Sequence, residues 1–189
     1  RVLEVISKTA ASAAFVVLGA TRWTAGDPVA SWLLAGLVLC AMGDLCLLWD
    51  RSFDLGLAVF LLGHLAYVGA FRAAVPMAGW PLLVATPVAL TGIGAASWLW
   101  PRLGARRAPV LLYILAISLM VWGALSTLAR GALPWTAGVG AVFFYLSDLA
   151  VARQRFVHAD FLNRGLGLPA YYAAQVLLAL TIASTSPFA

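Results

Sequence analysis

Seven stretches of about twenty mostly apolar residues follow one another along this chain, separated only by short polar connections. They lie near 2–20, 30–49, 54–73, 80–99, 108–128, 134–152 and 168–186. Each is long enough to cross the hydrocarbon of a bilayer as a helix, and little sequence is left over for a soluble domain. Only 10% of the 189 residues are charged and 63% are hydrophobic. A soluble domain carries about a quarter charged residues and could not bury this much apolar surface in one core. The expected fold is therefore all-α: one polytopic membrane helix bundle over residues 1–189, with seven transmembrane helices. Apolar segments continue to the C-terminus, so the first one does not read as a signal peptide ahead of a soluble domain.

Proline marks several starts. Pro28, Pro109, Pro134 and Pro169 stand at or just before first turns, where a missing N–H costs nothing, while Pro87 falls inside the fourth span and is expected to kink it. The longest connection is expected to run from Arg153 to Gly167. The two cysteines, Cys40 and Cys46, point to different faces of one helix and cannot pair with each other. The net charge of +5 does not indicate nucleic acid, because the basic residues are scattered among short loops. They sort by side instead. Eight arginines (Arg1, Arg51, Arg102, Arg106, Arg107, Arg153, Arg155, Arg164) fall on the side of Arg1, against three (Arg22, Arg72, Arg130) on the other. The positive-inside rule puts the first side in the cytoplasm and the C-terminus outside. An aromatic belt is expected from Trp49, Trp98 and Trp100 on the cytoplasmic side and Trp23, Trp32, Trp80 and Trp135 on the other. The location expected is a bacterial inner membrane.

A charged side chain at mid-bilayer costs about 2.5–3.5 kcal/mol on insertion scales, so each one inside a span needs a reason. Lys8, Asp44, His64 and Asp148 are such groups. At the helical rise, Asp44 lies about 9 Å and Asp148 about 7.5 Å below the cytoplasmic interface, Lys8 roughly 10 Å from Arg1, and His64 about 15 Å deep. Tyr171, Tyr172 and Gln175 occupy the same half of the last span. Helical spacing puts Gly36, Cys40, Gly43, Asp44 and Leu47 on one face of the second span. It does the same for Gly56, Phe60, Gly63, His64 and Tyr67 on the third, and for Gly140, Phe144, Ser147 and Asp148 on the sixth. Small residues beside polar ones let helices approach closely, so these faces should look into the bundle. Simpler roles compete with a site. Lys8 with either aspartate would make a structural ion pair, and His64 would serve as a bonded core histidine. Tyr67, Tyr171, Tyr172 and Gln175 would tie helices together. His158 lies in the polar loop.

Gly43-Asp44-Leu45, then Phe60, Gly63-His64 and Tyr67, then the run Gly140–Asp148, then Tyr172 and Gln175, resemble the lysoplasmalogenase family of membrane hydrolases, the YhhN and TMEM86-like proteins. The likeness covers nearly the whole chain in order and spacing. The family often has Lys-Pro-Leu near its start where this chain has Ser7-Lys8-Thr9. Family members generally have eight helices, so with Arg1 first rather than Met an upstream helix is expected. The resemblance implies cleavage of the vinyl ether of lysoplasmalogens to a fatty aldehyde and a glycerophospho-headgroup, with a lysophospholipid as substrate, membrane lipids as surroundings, and no cofactor or metal.

That chemistry needs a proton donor to the vinyl β-carbon, a base for water and negative charge near the oxocarbenium ion, as in glycoside hydrolysis by paired carboxylates. Asp44 and Asp148 are the two acids at similar depth, with His64 or Lys8 to hold one ionised, so Asp44, Asp148 and His64 are the expected catalytic groups. Lys8, Tyr67, Tyr172 and Gln175 are expected to bind substrate, with Arg51 and Arg153 at its phosphate. A metal-dependent membrane lipid hydrolase would need more histidines than His64 and His158, although an Asp44–His64–Asp148 metal site stays open. A proton-coupled transporter or lipid-binding protein would use the same carboxylates to carry protons. Gly43-Asp44-Leu45 and Ser147-Asp148-Leu149 also look like one motif used twice. They lie on helices that run in the same direction, so with one helix upstream the chain would divide as four plus four about an axis along the membrane normal. Cysteines introduced between Arg153 and Gly167 should react with impermeant reagents only from the cytoplasmic side; labelling from outside intact cells would contradict this orientation.

Overall fold

A computed structural model describes residues 2–182. The described chain forms seven α-helices: α1 (Val2–Ala20), α2 (Pro28–Cys46), α3 (Phe53–Ala74), α4 (Leu82–Leu99), α5 (Arg107–Ala129), α6 (Trp135–Phe156) and α7 (Phe161–Ile182). Six of them contain stretches long and apolar enough to cross a bilayer, and α1 adds a shorter apolar stretch over Val5–Ala20. Large apolar side chains face outward along these helices, Leu83 at 86% and Leu90 at 65% exposure among them. In water that would be costly; in hydrocarbon it is the expected outer face.

Helix starts follow their local chemistry. The Asp27 carboxylate accepts the backbone N–H groups of Val29 (2.8 Å) and Ala30 (3.2 Å), and Pro28 fills the first helical position. Pro134 and Pro81 cap α6 and α4 with extended backbone. Two expectations need correction. Arg153 to Gly167 is not a loop: α6 continues to Phe156 and α7 begins at Phe161. Helices outlast the hydrophobic window here because their last turns stand among headgroups, where polar side chains are solvated and the backbone ladder still pays no penalty. The remaining turn is closed by the Val157 and His158 N–H groups on the Arg153 carbonyl, at 3.0 and 2.9 Å, and by an Arg153–Asp160 ion pair of 2.7 Å. Pro169 consequently lies within α7 rather than at its start. Trp80 is not part of the outer belt. It is 4% exposed, donates Nε1–H to the Val75 carbonyl at 2.9 Å and packs edge-on against Trp122. Trp23, Trp32, Trp49, Trp98, Trp100 and Trp135 are exposed as expected.

The helices close into a ring. α1 packs on α2, α2 on α3, α3 on α5, α5 on α6, α6 on α7, and α7 returns to α1, while α4 lies outside against α5 and the edge of α6. The offset that brings Asp44 onto Asp148 also brings Gly36 onto Gly140, Leu45 onto Leu149, Arg51 onto Arg155, Gly63 onto Gly167 and Tyr67 onto Tyr171. At the same offset, Val17-Leu18-Gly19-Ala20 of α1 falls on Val121-Trp122-Gly123-Ala124 of α5. By sequence offset and by neighbour order, α5–α7 repeat the three-helix unit α1–α3. Within the described residues the division is three, one and three, with α4 as the element that has no counterpart.

Glycine sets how closely each unit packs. A Cβ at Gly36 would come within 2.4 Å of the Tyr67 ring, and one at Gly43 within 2.7 Å of Phe60. The α2–α3 contact therefore rests on ring against bare backbone, where dispersion has to do what the hydrophobic effect cannot do in lipid. Replacing Gly36 by Leu should overpack this seam and destabilise the bundle by about 1–3 kcal/mol. The expected reading is a clear drop in thermal unfolding temperature in detergent relative to a substitution at the open position Gly94.

Candidate active site

On the side of the arginine-rich turns the ring encloses a cavity of about 200 Å³. Its wall is mostly apolar, with Phe60, Leu57, Ile117 and Leu99 among the lining residues, and its polar groups include Lys8, Asp44, Tyr113, Asp148, Tyr171 and Tyr172. Asp44, in the last turn of α2, and Asp148, two turns before the end of α6, thus open into one space, as the repeat requires.

Each carboxylate is solvated by protein. Oδ2 of Asp44 accepts the Ser12 hydroxyl at 2.6 Å and the Tyr171 hydroxyl at 2.8 Å. Ser12 is buried on α1, one turn beyond Lys8 on the same face. Oδ2 of Asp148 accepts the Tyr113 hydroxyl at 2.8 Å and lies 3.4 Å from Nε2 of His64. That second separation is within ion-pair reach but is not aligned as a hydrogen bond, and Nε2 makes no other. The pattern follows the repeat: one hydroxyl from the preceding helix (α1 or α5) and one ring from across the bundle (α7 or α3).

His64 is fully buried between Tyr113 and Phe144, with ring centroids 5.0 and 4.6 Å away. Its Nδ1 is 2.7 Å from the Phe60 carbonyl. A carbonyl only accepts, so Nδ1 carries hydrogen and Nε2 is the nitrogen turned to Asp148. A bare lone pair and a bare carboxylate oxygen would repel at this distance.

Other expected site residues lie elsewhere. Tyr67 and Gln175 are fully buried and bonded to each other, hydroxyl to Oε1 at 2.8 Å, and neither lines the cavity. They tie α3 to α7 one layer deeper. Arg51 sits on a single exposed turn after α2, outside the cavity lining. Arg153 pairs with Asp160 and borders a separate outer groove. Arg155 is the arginine that lines the cavity, stacked 4.3 Å over the Phe53 ring. Ser12 and Tyr113 were not legible as site residues. Ser12 follows Lys8 by four positions, a usable signal, whereas Tyr113 carries none beyond being the one tyrosine of α5. Among the described residues no three His, Cys, Asp or Glu side chains gather as metal ligands do.

The sequence profile of the YhhN family matches residues 3–182. The chain belongs to the YhhN family. Among its YhhN-type relatives, the lysoplasmalogenase of Mycobacterium bovis is 40% identical over 161 residues, which cover 78% of this chain and 58% of that protein. Lysoplasmalogenase TMEM86B of Rattus norvegicus is 39% identical over 80% of this chain and 61% of its own length. Lysoplasmalogenase TMEM86A of Homo sapiens is 33% identical over 82% and 66%. The chain thus spans about three fifths of the length of the first two relatives. No solved structure matches it.

Tyr67→Phe in this YhhN protein should strand the buried Gln175 carboxamide and cost about 1–3 kcal/mol of stability. Because the pair lies outside the cavity, substrate KM should stay within about twofold of wild type; a large KM change with unaltered stability would move Tyr67 into the site.

Proposed function

We propose that this protein hydrolyses the vinyl ether bond of lysoplasmalogens. The observation that carries the reading is the pair of intramembrane aspartates, one from each repeat, opening into a single apolar cavity with different partners. The names of its relatives supply the substrate class.

The differences between the two half-sites divide the labour. At Asp148 the repeat partner is His64, whose Nε2 faces the carboxylate at 3.4 Å, close enough to pass a proton to it. At Asp44 the partners are hydroxyl donors, with Lys8 on the same cavity wall. Asp148 therefore gives its proton to the β-carbon of the vinyl ether, whose π electrons form the new C–H bond and leave an oxocarbenium ion. The Asp44 carboxylate stabilises that cation and removes a proton from the water that adds to it. The hemiacetal then loses its hydroxyl proton, the C–O bond to glycerol breaks, and the glycerol oxygen leaves with a proton. Water is consumed, and aldehyde and glycerophospho-headgroup are released. The hydroxyls of Tyr113, Tyr171 and Ser12 position the carboxylates. His64, acting through Asp148, recharges it with a proton.

The depth of the cavity fits the lipid. The scissile ether of a lysolipid lies just under its headgroup, and the aspartates lie just under the arginine-rich turns. With those turns in the cytoplasm the active site serves the cytoplasmic leaflet of the membrane.

Asp44→Asn and Asp148→Asn should each lower aldehyde release from an alkenyl lysophospholipid by about 10²–10⁴-fold while the purified protein stays folded. A folded Asn variant with full activity would sink the two-carboxylate scheme. Uptake or binding of the lipid without cleavage by wild type would favour a transporter instead.

A further inference from the structure

Outside the ring, α4 leaves an open groove of about 880 Å³ against α6 and α7. Its α4 wall is Thr91, Gly94, Ala95 and Trp98, and Arg153 stands in the opposite wall on α6. Four of the residues that border it, Ala95, Leu149, Ala150 and Gly167, also line the cavity of the two aspartates. One layer of small and aliphatic side chains separates the groove from the reacting space. A Cβ built at Gly94 meets nothing within 4 Å, so this stretch of α4 faces empty volume rather than a packed neighbour.

We infer that this groove receives the hydrocarbon chain of a single-chain phospholipid and is its lateral way into the cavity from the bilayer; the inference rests on the proposed hydrolysis. Three features support the occupant. The walls are mostly apolar, with Leu146, Leu149 and Leu166 set among glycine and alanine, a surface that a hydrocarbon chain matches. The charged lining residue is Arg153, whose ion pair with Asp160 marks the headgroup level at one end. The groove is continuous in its lining with the place where a vinyl ether would react, and a lipid's chain begins at that bond. α4 is suited to the task because it packs on few partners and its backbone ladder is already interrupted at Pro87.

Gly94→Trp would place an indole at the groove from a position where an added Cβ meets nothing within 4 Å, and Leu83→Trp, on the exposed face of the same helix, is the control. On alkenyl lysolipids of long and short chain, Gly94→Trp should lower kcat/KM at least tenfold for the long chain and about twofold or less for the short one, with Leu83→Trp unchanged on both. Equal loss on both chains, or no loss on either, would overturn the groove as the chain's path. A second readout does not depend on catalysis. A lysophosphatidylethanolamine carrying a photoreactive group in its chain should crosslink to Thr91–Trp98 in wild type and lose that crosslink in Gly94→Trp. Crosslinking confined to other helices would overturn the inference. Correct crosslinking without aldehyde release from any alkenyl lipid would leave the groove standing and the proposed reaction fallen.

Discussion

A carboxylate in hydrocarbon must be solvated by the protein that carries it, and this requirement organises the bundle. The hydrocarbon offers no hydrogen bonds, so the two aspartates draw three hydroxyls and an imidazole from neighbouring helices. Asp44 joins α2 to α1 through Ser12 and to α7 through Tyr171. Asp148 joins α6 to α5 through Tyr113 and to α3 through His64. Every helix of the ring is held by one of these two carboxylates. Packing of rings on glycine then closes the distances that these contacts demand. The proposed chemistry and the assembly of the bundle thus draw on the same atoms, which gives polar groups this expensive a reason to persist in a small membrane protein.

Much of this was legible in the sequence, for physical reasons. Hydropathy finds helices in a membrane because the bilayer forbids other unpaired backbone, and the seven expected spans correspond to seven helices. The inward faces of α2, α3 and α6 followed from small residues at helical spacing beside Asp44, His64 and Asp148, and Gly36, Gly43, His64 and Tyr67 are indeed buried. What failed was of two kinds. Hydropathy reports the hydrocarbon and not the helix, so it ended α6 too soon and began α7 too late around the polar stretch from Arg153 to Gly167. It also cannot tell a belt tryptophan from a packed one, and Trp80 was misjudged. Hydroxyl partners were the second kind. Ser12 and Tyr113 look like ordinary residues of apolar helices until the aspartates opposite them are placed. Tyr67 and Gln175 read as a binding pair because both are polar, yet the Tyr67 hydroxyl is spent on the Gln175 carbonyl oxygen, outside the cavity lining.

The arrangement of three helices, one helix and three helices carries a consequence about handedness across the membrane. A three-helix unit enters on one side and leaves on the other. Two copies fused end to end would stand upside down relative to each other, with their aspartates in opposite leaflets. A single intervening crossing restores parity, and α4 is that crossing. Among the described residues it stands on one flank of the ring, against α5 and the edge of α6, and therefore gives the ring a front and a back.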